Sequence, residues 1–152
     1  MTPEEREHYE ALYSATYEKY LQMPKEYFPH DSDAHRDPAI RKLVRKHGKE
    51  AYANWWLLIE LLTERKGHVY DISDDDGMAD LVDDMGRLGE MSEEEVLKFV
   101  SNLGDLGLLD AEMLGEGKVA SGRVARNVCV SAEAAANRAA GGALGGRPRK
   151  TA

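Results

Sequence analysis

The residues best suited to metal chemistry lie close together in the first quarter of the chain. His30, Asp31, Asp33, His35 and Asp37 supply imidazoles and carboxylates, the donor types that divalent metals take. Their spacing argues for turns and caps instead. Asp37 stands directly before Pro38, the arrangement of a helix cap followed by a first-turn proline, while Asp31 and Asp33 are natural turn formers, and no Glu-x-x-His or other helical ligand spacing repeats. A second acidic run, Asp71 to Gly77, resembles a calcium loop. Placing Gly77 at the sixth position puts Ile72 at the first, where a carboxylate is required, so the acids at Asp74, Asp75 and Asp76 fit a helix N-terminus better. No metal or cofactor is expected. Cys129 has no second thiol for a disulfide or a redox pair, the five histidines sit at unrelated spacings, and neither a nucleophile elbow nor a P-loop occurs. An enzyme is therefore not expected.

What remains is charge, and it is segregated. Residues 1–66 hold 11 bases against 12 acids, residues 67–116 hold 2 against 15, and residues 117–152 hold 7 against 1, so an acidic body carries a basic tail. Nucleic-acid affinity comes mostly from Lys and Arg neutralising phosphates, and two sets of bases qualify. The first is Arg41, Lys42, Arg45, Lys46 and Lys49. The second is Arg123 and Arg126 with the terminal Arg147, Arg149 and Lys150. The tail resembles an AT-hook core, but Gly145 and Gly146 stand where that core begins with Arg and Gly.

These residues need elements to position them. Thr2, Pro3 and Glu5 form a helix start with a capping box, and the following stripe of Tyr9, Leu12, Tyr13, Thr16, Tyr17 and Tyr20 makes one tyrosine-rich interaction face. A basic helix runs from Pro38 to His47, and after Gly48 a helix that is apolar nearly all round, Lys49 to Arg65, reads as the central pillar. His68 to Ile72 alternates like a strand, and a helix to about Asp84 follows. Ser92 and Glu95 form a second capping box for a helix through Leu103. Leu106 to Leu109 then leads into a strand, and a glycine turn at Gly115 and Gly117 precedes a second strand near Arg123 to Val130. Two helices followed by a β-hairpin give a winged helix-turn-helix: mainly α, with a small β-hairpin and an extra N-terminal helix. The divisions are residues 1–24, the tyrosine helix; 25–130, the winged-helix domain; and 131–152, an Ala/Gly-rich basic tail or linker. In such a domain the helix over 92–104 would read the major groove, yet it carries Glu93, Glu94 and Glu95, so standard readout is rejected.

The segment YFPHDSDAHRDPAIRKLVRKHGKEAYANWWLLIELL, with Phe28, His30, Asp31, Asp37, Pro38, the basic run, Gly48 and the apolar Trp56 to Leu62, resembles a known family. Together with the leucine-rich close at Leu106 to Asp110 it is similar, over about residues 27–128, to the N-terminal domain of phage and prophage replisome-organiser proteins, relatives of DnaD-type primosome proteins. The resemblance implies a winged-helix module in phage DNA replication, with no catalytic residues to carry over. It also implies that the terminal GGRPRK leads into further segments of a longer protein.

The acidic start and lack of an apolar leader argue against export, and no apolar run is long enough to cross a bilayer. A cytoplasmic protein is expected, with no membrane partner. The expected function is a non-catalytic replication module that associates weakly with DNA, without sequence preference, through its basic segments. The alternative is a protein-interaction domain that binds replication proteins or a second copy as a homodimer, with no direct DNA binding.

Overall fold

The computed structural model describes residues 1–143. It forms two compact units, a body of Pro24–Ala125 and a second unit of Met1–Met23 with the described residues after Ala125. The architecture is mainly helical, with a single two-stranded antiparallel sheet among the described residues.

The body is built on α3 (Lys49–Glu64), the apolar pillar, which buries Trp55, Trp56, Leu57, Leu58, Ile59, Leu61 and Leu62. Its buried Thr63 hydroxyl donates to the Ile59 carbonyl at 2.7 Å, so even its polar residue is satisfied within the helix. Ahead of it lies α2 (Pro38–His47), which packs on α3 through Ile40 and Leu43. Gly48, at φ 85°, ends α2 and directly precedes α3, a left-handed joint that favours glycine. After α3, Gly67 and His68 both take positive φ, and the His68 ring meets the Leu62 carbonyl at 2.8 Å.

β1 (Tyr70–Asp71) follows, then α4 (Asp75–Met85), α5 (Glu93–Asp105), the short α6 (Ala111–Gly115) and β2 (Lys118–Val119). β1 pairs with β2, Tyr70 opposite Val119 and Asp71 opposite Lys118. Gly77 on α4 lies so close to β1 that a Cβ there would run into the Asp71 carbonyl oxygen. Tyr70 is the anchor of this region. Its hydroxyl donates to Asp84 at 2.7 Å, and the Arg65 guanidinium lies 4.0 Å from its ring centroid. Burial, then the bond to Asp84, pushes the Tyr70 phenol well above its ordinary range.

The expected β-hairpin between residues 106 and 130 does not form. Leu106 to Leu109 wraps the end of α5 instead: the Leu108 N–H donates to the Leu103 carbonyl at 2.9 Å, and Gly107 takes φ 74°. The expected strand at 123–130 is the start of α7 (Gly122–Ala143), whose Arg123 N–H is capped by the Ser121 hydroxyl at 3.2 Å. Strand alternation would bury Val124, Val128 and Val130 together. Val124 and Val128 are buried, but Val130 is 67% exposed, and the buried row continues as Ala132, Ala135, Ala136 and Ala140 at helical spacing. The β2 partner therefore comes from β1, before the helix pair, rather than from a following strand.

In the second unit, α1 (Pro3–Gln22) starts with the expected reciprocal cap: the Thr2 N–H donates to Glu5 at 2.7 Å, and the Glu5 N–H donates to the Thr2 hydroxyl at 3.1 Å. Tyr9, Leu12, Tyr13, Thr16, Tyr17 and Leu21 form its half-buried stripe. Tyr9, Tyr13 and Tyr17 stack successively at 6.4 and 6.0 Å. Interaction with Cys129 on α7, then burial and neighbouring Glu133, raises the Tyr17 phenol. Among the described residues no helix is long and apolar enough to cross a membrane.

Candidate nucleic-acid interface

The basic face is produced by the local rules that make α2. Asp37 accepts a hydrogen bond from the Ala39 N–H at 2.8 Å, Pro38 occupies the first turn, and Gly48 closes the far end by donating to the Val44 carbonyl at 2.8 Å. Burying Ile40 and Leu43, 1% and 0% exposed, fixes the rotation of the helix. That rotation leaves Arg41, Lys42, Arg45 and Lys46 exposed, with Lys49 beside them at the first turn of α3. Among the described residues none of these five forms an ion pair. The body's ion pairs, Arg65 to Asp80, Arg87 to Asp84 and Arg123 to Asp31, all lie elsewhere. Arg45, Lys46 and His47 also sit in the last turn, where the helix dipole favours positive charge.

The face is not flat. An open groove of about 520 Å³ is lined by His35, Ile40, Arg41, Val44, Arg45, Lys49 and Tyr52. Its floor is apolar and its rim is cationic. Tyr52 is held by Trp56, whose ring it meets nearly perpendicularly at 6.2 Å.

Trp56 is a hub that the spacing of polar residues does not announce. His30 stacks on it at 3.7 Å, Phe28 at 6.0 Å, and the Arg123 guanidinium lies 5.3 Å from a ring centroid while bonding Asp31 at 3.1 Å. The residues with ligand chemistry are thereby distributed among separate tasks: His30 stacks, Asp31 holds Arg123, His35 lines the groove and Asp37 caps α2. Among the described residues no three His, Cys, Asp or Glu side chains are grouped to hold a metal ion. A helix residue four positions after Tyr52, opposite a loop carrying Phe28 and His30, was the available signal for this hub.

The other sequence candidates are placed differently. Arg123 is engaged by Asp31 and Trp56 and is only 18% exposed in its side chain, whereas Arg126 is exposed on α7 in the second unit. Arg147, Arg149 and Lys150 lie outside the described residues. Of the tyrosines, Tyr9, Tyr13 and Tyr17 are half-buried and Tyr20 is 37% exposed.

The helix pair of α4 and α5 presents the opposite charge. Ser92 accepts from the Glu95 N–H at 3.1 Å, and burial of Val96, Phe99, Val100 and Leu103 turns Glu93, Glu94, Leu97, Lys98 and Ser101 outward. A helix starting with three glutamates repels a phosphate backbone.

No curated protein and no solved structure matches the chain. A protein-family profile does, over residues 27–121, a span lying within the body and covering more than half of the sequence. On that match, the chain belongs to the Lin1244/Lin1753-like N-terminal domain family.

Proposed function

We propose that this domain is a non-catalytic DNA-associating module, and that it holds the phosphate backbone without sequence preference through Arg41, Lys42, Arg45, Lys46 and Lys49. The observation that carries this reading is the absence of ion pairs on that face, among the described residues, in a body so rich in carboxylates. A solvated structural face has nearby acids available. This one points five positive charges outward together.

The resemblance to phage and prophage replication proteins supplies the setting, an accessory to replication machinery. The succession α3, β1, α4, α5, β2 supports a winged helix-turn-helix lineage in which α6 and the loop into β2 stand where a hairpin wing would be. In this reading α5 keeps the position of a recognition helix without its chemistry, and α2 takes over the contact.

The test is a salt titration of binding to a fluorescent DNA duplex of random sequence. Four or five phosphate contacts give a slope of log affinity against log salt of about −4, since each contributes about −0.9. A slope near zero would overturn the reading. Salt-resistant self-association without DNA binding would instead make the tyrosine stripe of α1 the working surface.

A further inference from the structure

The groove beside α2 contains more than a phosphate-tracking face needs. Cations alone suffice to follow a duplex backbone, and an apolar floor adds nothing to that task. The floor here is Ile40 at the base, Val44 half-buried above it and the half-buried ring of Tyr52, and the rim is Arg41, Arg45, Lys49 and His35. At about 520 Å³ the groove is roomy enough to take an unpaired nucleobase. Trp56 fixes the Tyr52 ring from one side, and the Tyr52 hydroxyl has no hydrogen-bond partner among the described residues. Arg41 and Arg45 are one helical turn apart on the same side of α2, and Lys49, at the first turn of α3, lines the same groove. A flexible anionic strand can follow three successive cations while turning a base inward. A duplex cannot do so without unpairing.

Resting on the reading of α2 as a nucleic-acid face, we propose that its preferred ligand is single-stranded DNA, with a base seated in the Ile40–Val44–Tyr52 groove and stacked on Tyr52. Aromatic stacking accepts any base, because every base has a π-face, so the site selects strandedness rather than sequence. The arginines neutralise the flanking phosphates and can also lie against the base plane.

The experiment compares fluorescence anisotropy of a labelled oligo-dT strand with that of a random duplex of equal length, using the full chain. The expected result is tighter binding of the single strand, a loss of about five- to a hundredfold for that strand in Tyr52→Ala, and retention in Tyr52→Phe. Duplex affinity should fall by less than single-strand affinity in Tyr52→Ala. Because Tyr52 supports Trp56, a second readout uses the unaltered protein: photocrosslinking an oligonucleotide that carries iodouracil should label the peptide containing Tyr52. Equal or tighter binding of the duplex, with crosslinks away from Tyr52, overturns this inference and leaves α2 as a duplex-binding face. Binding of neither DNA at low salt removes both readings, and retention on poly-glutamate in that case assigns the groove to an acidic peptide.

Discussion

α2 and α5 are two helices of one body built by the same rules and finished with opposite chemistry. Each is capped by a side chain at its start, Asp37 for α2 and Ser92 for α5. Each is fixed in rotation by a buried apolar stripe, Ile40 and Leu43 in one, Val96, Phe99, Val100 and Leu103 in the other. Their outer faces then diverge, cations on α2 and glutamates at the start of α5. A place in the fold thus does not determine a contact. On the proposed reading, the helix that a winged helix would use to read DNA is the one that begins with glutamates, and the helix before the pillar is the one that carries the cations.

The largest expected effect tests the shared half of this comparison. Leu43 and Leu103 are both 0% exposed, and changing either to Ala should cost about 2–5 kcal/mol in urea unfolding. Leu97→Ala, on the outer side of α5, should cost less than about 0.5 kcal/mol. Equal losses at all three would mean that the outer face of α5 is packed against something in solution.

Charge reversal tests the divergent half. The double variant Arg41→Glu, Arg45→Glu should lower DNA affinity by on the order of a hundredfold at low salt, through both lost and repulsive phosphate contacts. The pair Glu93→Lys, Glu94→Lys should change it by only about threefold. An α5 variant that gains as much as the α2 variant loses would restore α5 as the docking helix.

Smaller effects come from the caps. Asp37→Ala and Ser92→Ala should each cost about 1 kcal/mol, read as a lowered denaturation midpoint. A loss at Ser92 alone would show that Asp37 serves the loop before α2 more than the helix.

The smallest effect is read by titrating the strand ahead of α4. Because Tyr70 holds its proton more tightly in the folded chain, the unfolded chain releases it first, near the ordinary value of 10.0. Its contribution to stability is full below that pH and is lost as pH rises beyond it toward the raised folded value. Asp71 is the mirror case. Its bonds to Ser73 hold the carboxyl below 3.8, so its contribution is present above that pH and fades as pH falls through the lowered folded value. Tyr70→Phe should flatten the alkaline arm of a denaturation profile and leave the acid arm intact.

The sequence made some of these features legible and hid others. Both capping boxes, the Asp37–Pro38 start, the Gly48 break and the pillar were readable because each follows from local chemistry within a few residues. The chain after β2 was not, because apolar residues at 124, 128 and 130 satisfy strand and helix periods about equally until the alanines beyond Ser131 decide the matter. The five cations of the α2 face could be named from their run along the chain. Their freedom from ion pairs among the described residues could not, since it depends on where the acids of α4 and α5 come to lie. The groove was hidden for a related reason: His35 and Tyr52 reach it from either side of α2, and sequence spacing does not bring them together.

The pairing of Tyr70 with Val119 sets the order in which the body can be completed. Between those two strands lie α4, α5 and α6, the whole acidic helix pair, so the sheet closes a long loop and must wait for its ends to meet. α2 and α3, joined at Gly48 and packed on each other, need only neighbouring residues. A chain emerging from synthesis therefore presents its cationic surface early, before β2 exists to lock the acidic helices in place.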